Sequence, residues 1–292
     1  MKTLSERTEP VPRSLRIRAF LAQHTLFSIG AVLFGSIVVI VLLAPLISPY
    51  SPLGIDMGSR FLPPSAAHPM GTDKFGRDVL SRVLAGGKLS LSVGVIVTSL
   101  AICIGVPIGI VSGYIGGRTD MILMRVTDIF LAFPPLLLPI TIVAVLGPGF
   151  WNAMLALSIS WFPWYARIMR GAVLRLRSEN YIQAAKVISG ASHLTIMRRH
   201  VLPNAMTPVI VQGSSDFGFT ILAAASLSFI GLGARAPDIE WGLMAADARL
   251  QLLDAWWIGI FPGLAIFVTV LSVNLVGDGL RDILDPKQRR RA

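Results

Sequence analysis

Asp216, in the stretch Ser214-Ser215-Asp216-Phe217-Gly218, is the residue with the most chemistry to offer. A carboxylate inside an apolar run must find a partner or water, because leaving its charge bare in a membrane is costly. Two readings are open: Ser214 and Ser215 satisfy it locally, or it faces a wet pathway. Asp128 stands one turn after Arg125, a spacing that predicts a structural ion pair at a membrane surface. The rest of the chain is poor in catalytic groups. The histidines, His24, His68, His193 and His200, are too scattered for a metal motif, and Cys103, inside an apolar run, reads as a small buried side chain. Leu84 to Ser90, "LAGGKLS", comes nearest to a phosphate loop, but Lys88 is followed by Leu and the glycine spacing fails. With no nucleophile elbow or zincin motif either, the chain is expected to be non-catalytic and to hold no metal.

The elements that would carry Asp216 are membrane spans. Of the 292 residues, 53% are hydrophobic and only 14% charged, with a mean hydropathy of +0.68, which places the chain among membrane proteins. Its formal charge of +10 does not point to nucleic acid, because the basic residues lie in the gaps between apolar runs, where they set topology. Spanning a bilayer takes about 20 apolar residues. Six stretches qualify, roughly Leu26 to Ser48, Leu89 to Gly113, Ile129 to Leu146, Trp151 to Ile168, Pro208 to Gly231 and Trp257 to Val276. The expected fold is an all-α integral membrane protein of six transmembrane helices, with a cytoplasmic tail at 1–25, a first span at 26–48, an extracytoplasmic loop at 49–88, a five-helix core at 89–280 and a basic cytoplasmic tail at 281–292. The first apolar run is longer than a cleaved signal's, so it is read as a retained span.

Orientation follows from charge. With both ends inside, the cytoplasmic segments, including Gly116 to Asp128 and Arg167 to Asn204, hold the larger share of the 26 Lys and Arg. Outside, Gly71 to Gly94 predicts an amphipathic helix at the interface, capped by Thr72 or Asp73, with Phe75, Val79, Leu80, Val83 and Leu84 on one side and Lys74, Arg77, Asp78 and Arg82 on the other. Gly233 to Trp257 is a mixed-charge loop that either meets an extracytoplasmic partner or is simply solvated. Gly94, Gly105, Gly109 and Gly113 permit close helix contact, serving either packing within the chain or a pathway. Ala132 to Pro139, with Pro134 and Pro135, should break the third span, which is tolerated where a helix lines a cavity.

Between the fourth and fifth spans lies a patterned inside loop. Tyr181, Ala184, Ala185 and Ile188 fall on one helical face that Gly190 is placed to end, and a second helical run, His193 to Val201, should stop at Pro203. Two short helices at an angle make a knob whose small-residue face suits a partner's groove. This segment resembles the EAA loop of permease subunits of binding-protein-dependent ABC importers: Gly190, nine residues, then His200-Val201-Leu202-Pro203 closes the pattern. "PMGTDKFGRDVLSRVLAGGKLSLSVG", "LAFPPLLL", "RHVLPN", "SLSFIGLG", "WGLM" and "NLVGDGLRDILDP" extend the resemblance to the C-type subunit of the dipeptide/oligopeptide/nickel branch. Two features depart from it. Gln183 or Ala184 stands where the motif's Glu would be, with four rather than three residues between Ala185 and Gly190, which leaves Glu179 as a candidate substitute acid; and Ala224 stands where an acid is common.

The resemblance implies the type I ABC importer permease fold. It assigns Glu179, Tyr181, Gln183, Ala184, Ala185, Gly190, Leu202 and Pro203, within a coupling loop at 171–204, to contact with ATPase subunits; Asp216, Ser214, Ser215, Pro134 and Pro135 are candidates for the translocation path. The implied partners are a homologous permease forming a heterodimer, two ATPase subunits that carry ATP and Mg, an extracytoplasmic binding protein and the lipid of a bacterial inner membrane; no nucleic acid and no cofactor on this chain are expected. Short peptides are the first choice of cargo, with nickel, glutathione, opines or another small solute as alternatives. A gradient-driven transporter would show several paired ionisable residues and inverted repeats, and an intramembrane enzyme would show a catalytic set.

Overall fold

The computed structural model describes residues 24–188 and 192–284, the side chains of 185–188 excepted. The described chain is helical and contains no named β-strand, only one isolated bridge between Thr72 and Asp78. The first long helix, α1, is Thr25–Ile47; α2 is Val79–Ile115, and the third predicted span comes as two pieces, α3 (Gly117–Leu131) and α4 (Leu137–Leu146). Helix α5 is Phe150–Arg177, followed by the short α6 (Asn180–Ile188) and α7 (His193–Ile196). A π-helical stretch, Met197–Val201, leads straight into α8 (Leu202–Phe229); α9 (Trp241–Asp247) and α10 (Trp257–Leu284) complete the order.

Three of these helices, α1, α2 and α10, are long and apolar enough to cross a membrane on composition alone. The fourth and fifth predicted spans, α5 and α8, have the length, 28 residues each, but are diluted by polar and small residues along their inward faces. The third is interrupted where expected: Pro134 and Pro135 cannot donate amide hydrogens to a continuing helix, and the chain turns between Leu131 and Leu137.

Helix α2 differs from expectation. No separate interfacial helix precedes it; Asp78, not Thr72 or Asp73, is the N-cap, accepting from the Ser81 amide at 2.8 Å, and the helix runs unbroken for 37 residues, about 55 Å at 1.5 Å per residue. Gly71 to Asp78 is instead a tight turn with Gly71 and Gly76 at positive φ. The expected polar side of that helix is not solvated either: Asp78 and Arg82 are 2% and 4% exposed. Cys103, expected to be buried, lies exposed on α2.

The glycines of α2 serve packing within the chain. A Cβ at Gly105 would sit 2.7 Å from Tyr165 Cβ, one at Gly109 2.7 Å from Met169 Cβ, and one at Gly113 3.0 Å from Val173 Cβ, so the i, i+4, i+8 stripe lies directly on α5. Gly94 holds the Phe217 ring of α8 in the same way. Absent side chains let helix backbones approach, and dispersion contacts accumulate along the seam. The main core gathers there, around Val97, Leu157, Tyr165, Met169 and Val173. A second core, around Val79, Val83, Trp241, Met244 and Ile258, lies at the opposite end from the 178–201 loop.

Candidate functional site

The loop end of the bundle is built from the C-terminal turns of α5, the helices α6 and α7, and the first turns of α8. Helix α5 continues to Arg177 and is capped by Ser178, whose amide donates to the Leu176 carbonyl and whose hydroxyl donates back to the Arg175 carbonyl at 2.9 Å. Gln183 reaches over this break, its Nε2 donating to the Arg177 carbonyl at 2.9 Å. Ile182 is fully buried and fastens α6 to the core, while Glu179, Tyr181, Gln183 and Ala184 stay exposed. Ala185 lies within α6 by its backbone; its side chain and Gly190 are outside the described residues. Ser192 caps α7, and the His193 ring meets Tyr114 of α2 edge to face at 5.8 Å.

The second helical run does not stop at Pro203. It passes through the π-helical turn into α8, and Pro203 sits in the first turn there, where an amide donor is not needed. Ile196 and Val201 are buried, and Leu202 packs against the same core. The knob is therefore joined rigidly to α8 on one side and through a short break to α5 on the other.

Above this loop lies a cavity of about 730 Å³, walled by α5, α8 and α10. Its lining includes Arg175, Asn204, Asp278 and Arg281 toward the loop-end turns of their helices, and Gln212 and Ser215 further along α8. Asp216 follows immediately. Tyr165 of α5 donates its hydroxyl to Asp216 Oδ2 at 2.7 Å, and Gln212 donates Nε2 to Oδ1 at 2.9 Å. The serines do not satisfy it: the Ser214 hydroxyl donates to the Val211 carbonyl at 2.7 Å, and Ser215 faces Gly277 of α10. Of the predicted path residues, Ser215 lines the cavity, Asp216 is held between α5 and α8 by Tyr165 and Gln212 without lining it, and Ser214 is turned to its own helix.

One turn further from the loop, on each of the same two helices, Trp161 and Phe219 pack at 5.7 Å between ring centroids. Pro134 and Pro135 line a smaller pocket of about 100 Å³ with Phe130, Trp161 and Trp164. The break in the third span therefore lies against the far side of the Trp161 ring and not in the larger cavity. Asp128 is paired, but with Arg167 of α5 at 2.6 Å rather than with Arg125.

The opposite end carries polar architecture that local sequence patterns did not announce. Glu240 caps α9, accepting from the Gly242 and Leu243 amides at 2.9 Å each, and takes the Ser90 hydroxyl of α2 at 3.1 Å. Trp241 Nε1 donates to the Val83 carbonyl and Trp257 Nε1 to the Thr72 carbonyl, at 2.8 and 3.0 Å. Lys74 bridges to Asp247 at 2.9 Å. The segment Gly233 to Trp257 is thereby fastened onto the turn before α2. A cue was present in the acid directly before Trp241, the position of an N-cap.

Comparison with known proteins agrees with this arrangement. The family "Binding-protein-dependent transport system inner membrane component" matches residues 105–290, and "N-terminal TM domain of oligopeptide transport permease C" matches residues 16–64. The chain is 47% identical over 258 residues to the probable D,D-dipeptide transport system permease protein DdpC of Escherichia coli (strain K12), covering 88% of this chain and 86% of that protein. It is 43% identical to the dipeptide transport system permease protein DppC of Alkalihalophilus pseudofirmus, over 92% of this chain and 88% of that one. To the glutathione transport system permease protein GsiD of Pectobacterium atrosepticum it is 42% identical, over 92% and 89%. Among solved structures, the MetNI methionine ABC transporter in inward-facing form matches with a TM-score of 0.57 at 17% identity, over 70% of this chain and 96% of the matched chain, a likeness of fold. The family match across most of the chain, together with these relatives, shows that the protein belongs to the inner membrane components of binding-protein-dependent transport systems.

Proposed function

We propose that this chain is the C-type permease subunit of an ATP-driven importer of short peptides. A homologous permease completes the path, an extracytoplasmic binding protein delivers the cargo, and two ATPase subunits bind ATP and Mg and press on the loop between α5 and α8. The carrying observation is that loop itself: a helix anchored by the buried Ile182 presents exposed Tyr181 and Ala184 at the end of the bundle where the cavity lined by Gln212 and Ser215 lies. The names of the relatives, dipeptide and peptide permeases with glutathione permeases among them, support the choice of cargo.

The loop lies on the cytoplasmic side of the bacterial inner membrane, with both chain ends, a reading that the basic residues flanking it support. The chain itself carries out no chemistry. Its loop is a lever: ATPase states that grip it differently bias two arrangements of the attached helices, as a ligand shifts a conformational equilibrium only through its differential affinity. Because α8 continues from the loop without interruption, displacement of the loop is transmitted to Ser215 and Asp216. Pro134 and Pro135 shape the wall behind Trp161.

Uptake of labelled dipeptides into proteoliposomes holding the chain with its partner permease, ATPases and binding protein tests the reading. Accumulation that requires both internal ATP and the binding protein is expected. Glutathione accumulating in place of dipeptides would move the cargo assignment, and accumulation indifferent to ATP would end the importer reading.

A further inference from the structure

Arg175 on α5 and Arg281 on α10 line one cavity, of about 730 Å³, and both residues are exposed. Among the described residues neither forms an ion pair. The arginines before Arg175 on the same helix are matched, Arg167 with Asp128 and Arg170 with Asp120. Arg175 instead makes a long bond of 3.4 Å from Nε to the Gly171 carbonyl of its own helix. Asp278, three residues before Arg281, lines the cavity too, yet no ion pair joins the two. The wall thus carries two cations against one acid. Cations gathered around one cavity repel, and an anion entering it relieves that repulsion.

Their height along the bundle narrows the choice of anion. Arg175 stands two residues from the end of α5 and Arg281 three from the end of α10, while Asn204 lies in the first turn of α8. The charges therefore sit at the loop-end surface of the membrane, where basic pockets between spanning helices take anionic lipid headgroups. From Asn204 the α8 wall runs on to Ser215, about 16 Å further at 1.5 Å per residue, past Pro208 and Val211. Leu176 and Leu284 line the cavity beside the two arginines, and Leu174, next to Arg175, is an exposed apolar side chain. A soluble anion needs only the charges. A wall that sets hydrocarbon directly beside guanidinium fits an amphiphile, which binds through buried apolar surface and charge together.

We propose that this cavity is a site for an anionic phospholipid of the adjoining leaflet, with Arg175 and Arg281 holding the headgroup phosphodiester and an acyl chain lying along Pro208 and Val211. Each guanidinium offers planar paired donors to phosphate oxygens, so the contacts are charge-assisted hydrogen bonds. Asn204 donates Nδ2 to the His200 carbonyl at 2.7 Å, which leaves Oδ1 to accept from headgroup hydroxyls. The bound lipid ties the end of α5, where the loop begins, to the end of α10. The inference rests on the membrane reading of the chain and not on the nature of its cargo.

The complex of both permeases and both ATPases, purified in mild detergent, is titrated with dioleoyl phosphatidylglycerol or with phosphatidylcholine of the same chains, and bound lipid is counted by native mass spectrometry. Preferential binding of phosphatidylglycerol is expected, weakened about fivefold by Arg175→Gln and about as much by Arg281→Gln, the worth of one basic residue at an anionic membrane surface. Arg118→Gln removes an exposed arginine that does not line the cavity and should change nothing, whereas Asp278→Asn should tighten binding. That gain is a change that faulty folding does not imitate. Equal affinity for the two lipids would overturn the proposal, and so would equal loss in Arg118→Gln and Arg175→Gln, which would spread the attraction over the whole basic surface. Glycerol phosphate and a dipeptide at millimolar concentration separate the sources of the anion. Neither should displace phosphatidylglycerol, and displacement by either would give the cavity to a soluble anion instead. Neither ATP nor transport enters the assay, so its outcome is distinct from the fate of the importer reading.

Discussion

Arg170 on α5 holds Asp120 on α3 in a two-pronged grip, Nε and Nη2 each donating across 2.6 Å to a different carboxylate oxygen. Ser112 of α2 donates to the same acid, so one carboxylate joins three helices at the loop end. The planar guanidinium fork suits this geometry. One turn away, Arg167 and Asp128 make a single contact with side chains 48% and 46% exposed. These pairs should differ in worth. Asp120→Ala leaves a partly buried guanidinium and a hydroxyl without their acceptor and is expected to cost about 1–3 kcal/mol, whereas Asp128→Ala should cost less than about 1 kcal/mol. Thermal unfolding in detergent measures both, and equal losses would contradict the ranking.

The seam between α2 and α5 makes a sharper prediction about bulk. A side chain at Gly105 or Gly109 collides with α5 at its first carbon, against Tyr165 and Met169. Gly109→Leu should therefore cost more than the roughly 1–3 kcal/mol of ordinary overpacking, because backbone rather than a flexible side-chain end must yield. At Gly171, also helical, an added Cβ meets nothing within 4 Å, and Gly171→Ala should stabilise by about 0.5–1 kcal/mol. The yield of folded protein on gel filtration separates the two outcomes; a well-folded Gly109→Leu protein would refute the packing account.

Features with local causes were readable from sequence. Pro134 and Pro135 break the third span through their own chemistry, and the apolar runs located the long helices, although α2, α3 and α8 begin earlier, and α5 and α10 end later, than the apolar runs do. Pairings between helices were not readable. Asp216 looked toward Ser214 and Ser215, its neighbours, but finds Tyr165 51 residues earlier; Asp128 looked toward Arg125 and finds Arg167. A single helix shows its i, i+3 and i, i+4 neighbours, but which face meets which helix depends on the register of the packed bundle. The same limit applies to the N-cap of α2. The turn from Gly71 to Asp78 exists because Thr72 bonds back to Ser59 and Leu62 and because Trp257 covers it, all contacts from distant sequence. The helix Asn180–Ile188 was readable because its pattern is local; its junction with α8 was not, since a π-helical turn lets the chain pass Pro203 without ending.

Asp56 provides a pH test outside the membrane domain. Its carboxylate accepts from the Ser59 hydroxyl at 2.7 Å and the Gly58 amide at 3.0 Å, closing the short turn Met57–Ser59. These bonds, the Ser59 hydroxyl foremost, favour the charged form and hold the acid below its ordinary range. A lowered value in the folded chain means that the contribution is fully present above the unfolded value of about 4 and is lost as pH falls through the folded value. Protection of the Gly58 amide from hydrogen exchange, relative to an unstructured peptide, should be flat from neutral pH to about 4 and decline below it. In Asp56→Asn the decline should vanish; its persistence there would place the titrating group elsewhere.

The loop assignment is the most exposed to test. Ala184 is exposed and Ile182 fully buried on the same short helix, so the two positions separate docking from folding. Ala184→Arg puts a long cation at a position that is exposed among the described residues, and it should abolish ATP-driven uptake while leaving the helix, the membrane insertion and the unfolding temperature unchanged. Ala185→Arg, next on the same helix, and Gly190→Arg, at the end of the motif, should do likewise. Ile182→Asp instead buries an unpaired charge in the core and should lower stability by about 3 kcal/mol or more, reducing the amount of folded protein before transport is even measured. Co-purification of the ATPase subunits with each variant reads docking directly. Ala184→Arg protein that is folded, retains its ATPases and transports at the unaltered rate would remove the loop from the coupling path, because a face that accepts an arginine without consequence is not gripped by a partner.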